Sequence, residues 1–224
     1  MKKSKILLTF LTIFIILSCL CACNDKLDLT KSISHLKCNV YESQNTEHKI
    51  LANYGFKEKQ NSKDGKVGDK IYLLSFKFLD HALDNTTYSI SLTFNNVEHK
   101  CTFKLNPISH TLDASVQVDN FNLNEFEITL RYGSNNDKIV MKSILPENTI
   151  SYTQALEHLI NQQADLLNLY IDQNGNFNGE IIMRVLVKDN HPYWYVGLCD
   201  TEGKLKALLI DGFDGKILAV RDIF

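Results

Sequence analysis

The chain has 224 residues, with 24 Lys or Arg, 26 Asp or Glu, a formal charge of −2 and 44% hydrophobic side chains. That length fits one large domain or two small ones, and the apolar content suffices for real cores. Three scattered prolines exclude a Pro-rich spacer, and the lack of a basic patch excludes nucleic acid as a partner.

Lys2, Lys3 and Lys5 precede a 12-residue apolar run, Ile6–Leu17, and small residues follow. This order is the layout of a secretory signal. A membrane-spanning helix needs roughly 20 apolar residues, so the run is short for one. An ordinary cleaved signal and an uncleaved anchor are both compatible with it. Leu20-Cys21-Ala22-Cys23 resembles the lipobox of bacterial lipoproteins, although Cys21 stands where Ser, Ala or Thr is commoner. The resemblance implies a signal peptide over residues 1–22, a diacylglyceryl group on the Cys23 sulfur and cleavage before Cys23. The membrane is then a partner through lipid, and the protein lies on the outer face of a bacterial cytoplasmic membrane. Two acyl chains hold far better than one, at about 0.8 kcal/mol per buried CH₂. Without residues 1–22 the chain has 21 basic and 26 acidic side chains, a charge of −5. Cys38, Cys101 and Cys199 also remain. Secretion permits one disulfide among them, and three small buried apolar residues are the other possibility.

Residues 23–66 are polar and weakly patterned, and are expected to form a tether with at most a short helix or strand around 33–41. Lys57 to Lys66 has too little apolar surface to bury and reads as a solvated loop. Residues 67–145 alternate with period two. Tyr88, Ile90, Leu92 and Phe94 alternate with polar residues, Asn95-Asn96 intervenes, and Val97 to Leu105 alternates again. Asn tolerates the positive φ of tight hairpins, so this is a hairpin signal. Further strands are expected at 71–79, 112–118, 126–132 and 139–144. One apolar and one polar face per strand imply antiparallel sheets, and six short strands suggest a small β-sandwich.

After Pro146 the period changes. Ser151 and Gln154 have capping-box spacing, and Tyr152, Ala155, Leu156, Leu159, Ile160, Leu166, Leu167 and Tyr170 share a helical face. Four strands are expected at 181–187, 193–199, 204–210 and 216–222, with turns at Glu202-Gly203 and Asp214-Gly215. The expected fold class is therefore α+β. A β-sandwich-like domain over 67–145 precedes one long helix on an antiparallel meander over 146–224.

Ile150-Ser151-Tyr152-Thr153-Gln154-Ala155, Trp194-Tyr195-Val196 and Leu209 to Leu218, with its Asp-Gly and Gly-Lys pairs, resemble a PepSY-type domain over residues 145–224. The resemblance implies an extracytoplasmic, non-catalytic domain of the kind found on lipoproteins or beside peptidases. It carries over no catalytic residues and implies no cofactor. Residues 67–145 match no family by their motifs.

Among chemical candidates, Asp172 to Glu180 has alternating oxygen donors, but Phe177 stands where a Ca²⁺ loop needs Gly and Met183 where it needs Glu. It reads as a helix stop and turn. His99 and Cys101 share a strand face, and His35, Cys38 and His48 are a weak zinc set. Neither pattern supplies a full ligand set, and a core-facing pair describes His99 and Cys101 better. Asp211 and Asp214 sit at a turn, where Asp caps backbone N–H groups. The candidate binding residues are Tyr193, Trp194 and Tyr195, aromatic side chains that divide between the two faces of one strand. These features point to a membrane-anchored lipoprotein that binds or regulates an envelope protein, a peptidase being one partner class. The alternatives are adhesion or capture of a glycan or peptide through the sandwich, and a hydrolase built around His99.

Overall fold

The computed structural model describes residues 27–45, 47–59, 67–79 and 86–223. Cys23 lies outside them. Among the described residues, thirteen strands form one sheet. β1 (Ile33–Ser43), β2 (Ile50–Glu58) and β3 (Lys70–Phe78) are followed by β4 (Tyr88–Phe94), β5 (Val97–Thr102) and β6 (Lys104–Asn106). Then come β7 (Thr111–Gln117), β8 (Glu125–Tyr132) and β9 (Asn135–Ser143). Helices α1 (Tyr152–Gln162) and α2 (Ala164–Leu167) lead into β10 (Glu180–Lys188), β11 (His191–Cys199), β12 (Leu205–Asp211) and β13 (Ile217–Ile223).

The first nine strands make a nearly closed antiparallel barrel. The pairing runs β1–β2–β3–β7–β6 in one direction and β1–β9–β8–β4–β5 in the other. Only Phe103 separates β5 from β6, and its amide donates to Tyr88 O at 2.9 Å. The bent segment β5–β6 therefore passes from β4 to β7 and joins the two arms. The interior is filled with side chains, as is usual for a barrel of about eight strands. Tyr41, Ile50, Leu74, Phe76, Ile128 and Met141 are at its centre. Phe121 packs its ring edge-on to Tyr41 and Phe126 at 6.0 and 5.0 Å between centroids.

The second unit grows from the same strand. The first half of β1 pairs in parallel with β10, through Lys37 opposite Arg184, and β10–β13 continue as an antiparallel meander. Ala155, Leu156 and Leu159 of α1 pack on Ile33, Leu36, Met183, Val185, Val196 and Ile210. The inner face of β2 serves both cores: Ile50, Ala52 and Tyr54 lie in the barrel and Phe56 lies under the helix. β1 has register shifts between Ile33 and His35 and between Lys37 and Asn39. Around the second shift its backbone lies close over β2. A Cβ on Gly55 would stand 1.8 Å from Leu36 O, so only glycine fits there.

Three expectations are corrected. The α+β class with a sandwich gives way to a mostly antiparallel β protein with a nearly closed barrel, the described residues being 56% strand and 12% helical. Alternation shows that each strand has one buried face, but not whether the sheets stack or close. Residues 33–43 and 50–58 lie within the stretch read as a tether, and they are the central strands β1 and β2. The single long helix is broken at Gln163, whose φ of −133° and ψ of 40° are not helical. The tertiary contacts of Gln162 decide this break: its amide donates to Gly215 O at 2.9 Å and accepts from Ile217 N at 3.3 Å. Local propensity yields to such contacts. Elsewhere local chemistry holds. Asn95 and Asn96 adopt φ of 49° and 62° in the β4–β5 turn. Ser151 Oγ accepts from Gln154 N at 3.2 Å, and Gln154 Oε1 accepts from Ser151 N at 2.8 Å, completing the capping box.

Because β1 and β2 belong to both cores, the cores are expected to unfold together. In urea, Trp194 fluorescence, which reports the helix-covered core, and the tyrosine near-UV signal of the barrel should give coincident midpoints. Gly55→Ala should lower both by the same amount, about 3 kcal/mol, the upper range of an overpacking change. Separate midpoints would show two independent domains.

Candidate functional site

Strand alternation splits the three candidate aromatic residues. Trp194 is 1% exposed, and its Nε1 donates to Ile150 O at 2.9 Å. Ile150 N in turn donates to Gly212 O at 2.8 Å. Trp194 therefore locks the start of α1 to the β12–β13 turn, and it offers no contact surface. That turn is tight by necessity: Gly215 has φ of +74°, and a Cβ there would lie 2.2 Å from the His158 ring.

Tyr193 and Tyr195 are half-buried on the opposite, outer face. The Arg184 guanidinium lies 4.5 Å from the Tyr195 ring centroid, a cation–π contact. The His191 ring stands 4.7 Å from both the Tyr193 and Phe213 rings. His191 Nε2 is 2.8 Å from Asp211 Oδ2, while Asp211 Oδ1 accepts from Phe213 N at 2.8 Å. Burial alone would raise the Asp211 carboxyl, but the Phe213 amide and the His191 ring outweigh it and hold the group below its ordinary range. Asp211 is thus a turn cap, as is Asp214, which accepts from Lys216 N at 2.8 Å.

Leu186, directly across from Tyr193 and exposed, carries this face into a cleft of about 570 Å³. The cleft arises where two strands part. Beyond Arg184, β10 pairs only with β11 among the described residues, while β1 goes on to pair with β9 from Tyr41 to Ser143. Val40, Leu51 and Ile144 line the barrel side and Leu186 and Val187 the β10 side, with Glu42, Lys49, Asn53, Asp189 and Asn190 as its polar lining. One edge of β10 from Val185 to Val187 therefore faces a mainly apolar cleft without a strand partner among the described residues. Pattern reading missed this site, because its two walls come from residues roughly 40 to 150 positions apart in the chain.

The other candidates are placed as follows. His48, Asp137 and Tyr132 form a second polar cluster at one end of the barrel. His48 Nε2 lies 3.0 Å from Asp137 Oδ2, and the Tyr132 hydroxyl donates to the same oxygen at 2.6 Å. The Tyr132 and His48 hydrogen bonds hold the Asp137 carboxyl below its usual range, and the same bond raises the Tyr132 phenol. Such a phenol is a poor nucleophile. Burial raises the Cys38 thiol and pushes Cys101 up to about 11, which leaves both unreactive. His35, Cys38 and His48 do not converge, and among the described residues no group of three His, Cys, Asp or Glu side chains is placed to hold a metal. His99 and Cys101 lie half-buried on β5, and Cys101 packs on the barrel core. Asp172 accepts from Asn174 N and Asn176 N at 2.8 and 2.9 Å, so it folds its own turn.

The chain matches no protein-family model, and no curated protein matches it.

His35 has a measurable consequence. Burial, then the charges of Lys37, Lys57 and Arg184, pull its pKa from 6.5 down to about 4. The folded state holds it neutral while the unfolded chain protonates it, so the unfolded state binds more protons between those values. Stability should therefore be fully present above about pH 6.5 and fall as the pH drops toward 4. His35→Gln should flatten that limb of a plot of urea midpoint against pH, and an unchanged slope would assign the loss to other groups.

Proposed function

We propose that the protein is a non-catalytic lipoprotein, anchored through Cys23 on the outer face of a bacterial cytoplasmic membrane, that binds an extended segment of another envelope protein. The observation that carries this reading is the unpaired β10 edge in an apolar cleft, continuous with the half-buried Tyr193 and Tyr195 face. An extended peptide can add to such an edge through main-chain hydrogen bonds, with side-chain pockets supplying selectivity. Edge strands of stable proteins are usually covered or charged, so an apolar edge beside an apolar wall fits a partner. Tyr and Arg on the adjoining face are the residue types that dominate binding energies. A peptidase is the partner class that the PepSY-like motifs of residues 145–224 favour. The barrel interior, filled by its own side chains, leaves no comparable room for a captured ligand.

Two measurements test this. Cys23→Ala should abolish incorporation of labelled fatty acid and release the protein from the membrane fraction. Retention of label would place the lipid elsewhere. The full chain, immobilised, should enrich one envelope protein reproducibly. Leu186→Asp, an exposed change with little effect on folding, should weaken that capture at least about tenfold. Equal capture by the variant, or no reproducible partner, would remove the cleft from the function.

A further inference from the structure

A second concave site lies on the outer face where β1 crosses β2, and it is polar where the cleft is apolar. It has a volume of about 170 Å³ and is lined by His35, Lys37, Asn53, Lys57, Ser75 and Ser115. The register makes it contiguous. His35 is opposite Lys57, Lys37 is opposite Gly55, Asn53 is opposite Ser75, and Ser75 is opposite Ser115. Arg184 is the register partner of Lys37 on the far side. No carboxylate lines the site. Among the described residues no ion pair joins Lys37, Lys57, Lys77 or Arg184 to an acid. The acid nearest in effect to Lys37 is Asp113, whose carboxylate already accepts from Asn106 Nδ2 at 2.8 Å and Thr111 Oγ1 at 2.9 Å.

We propose that this groove binds a phosphate-type oxyanion, held by Lys37 and Lys57 with Asn53, Ser75 and Ser115 as neutral donors. A half-buried ammonium beside other cations is costly without an anion. Burial, then Arg184 and Lys77, lower the Lys37 amine accordingly. Sequence charge makes the cluster more telling, since residues 23–224 carry −5 overall and yet place no acid here. The volume is below the roughly 300 Å³ of sites for drug-sized ligands and suits a single phosphate group. Lysine ammonium groups act as point charges toward such a group, and the hydroxyls and the Asn53 amide can reach oxygens left over. The source is either free phosphate or the phosphodiester of a lipid headgroup. Leu29 to Ser32 form a short 3-10 turn just before β1, and the six residue steps from Cys23 to Leu29 span at most roughly 20 Å, which keeps an anchored chain close to the headgroups. Asn53 lines both this groove and the partner-binding cleft, while Lys37 and Lys57 line the groove and not the cleft, so the anion proposal does not rest on the peptide reading.

The test is an NMR titration of the His35 ring in the full chain, held in neutral detergent at constant ionic strength. The probes are inorganic phosphate and glycerophosphoglycerol, the deacylated headgroup. One of them should shift the ring saturably and raise its pKa from about 4, because a bound anion offsets the neighbouring cations. The tighter probe identifies the source. Lys57→Gln, at an exposed position, and Lys37→Gln should each weaken binding about tenfold, while Lys204→Gln, in a distant turn, should not. Trp194 fluorescence reports whether each variant folds. No saturable shift with either probe, or full affinity in folded Lys57→Gln, would overturn the assignment.

Discussion

Everything in this molecule depends on one strand being shared. β1 is hydrogen-bonded to β2 along its length, but its other edge changes partner midway, from β10 to β9. The change is possible because the register shift between Lys37 and Asn39 inserts an extra residue. A bulge bends a strand and increases its twist. Here it turns the chain from the helix-covered sheet into the barrel wall. Leu36 before the bulge and Tyr41 after it both face inward, although their spacing is odd. Cys38, between them, packs on both cores. The bulge demands a glycine on the neighbouring strand, and Gly55 supplies it.

That single bend also creates the surface features. When two strands diverge, the edges they no longer share must be paired elsewhere or left open. On the β1 side β9 closes the gap, and Ile144 N donates to Val40 O at 3.0 Å. On the β10 side no strand among the described residues does so beyond Arg184. The cleft is thus a consequence of closing the barrel while keeping the meander attached. The cationic groove has the same origin. His35, Lys37, Lys57 and Arg184 come from three strands, and the crossing of β1 over β2 gathers them on one face.

Sequence patterning reached the parts whose determinants are local. The Asn95-Asn96 turn, the Ser151–Gln154 capping box and the Asp211 and Asp214 caps depend on residues a few positions apart, and each was legible. β1 was legible only as a short helix or strand around 33–41, because its register shifts break the two-residue period that identifies a half-buried strand. β2 was not legible, although Ile50, Ala52, Tyr54 and Phe56 keep that period. The same polar composition that suggests a tether also serves strands whose outer face is wet: His35, Lys37, Asn53 and Lys57 alternate with inward-facing residues. The helix break at Gln163 was hidden because its cause, the β12–β13 turn, lies some fifty residues downstream. For the candidate site, alternation alone separated Trp194 from Tyr193 and Tyr195. It could not supply the cleft, which needs the spatial meeting of residues 40–51 with 186–187.

The location of function follows from the same division. Both cores are closed to ligands: the barrel is packed with aromatic and aliphatic side chains, and α1 covers the inner face of the meander. The half-buried polar clusters are internally satisfied. His191 and Asp211 serve the closing turn, while His48, Asp137 and Tyr132 serve the barrel end. Satisfied groups have little left to offer a ligand. The seam leaves main-chain edge on one side and positive charge on the other; β13, the last strand of the meander, also keeps one edge without a strand partner among the described residues. An unpaired edge selects for extended peptide, and an uncompensated ammonium selects for an anion. The seam therefore presents two different chemistries side by side on one outer face, with Arg184 as the last paired residue before the cleft and the cationic neighbour of Lys37.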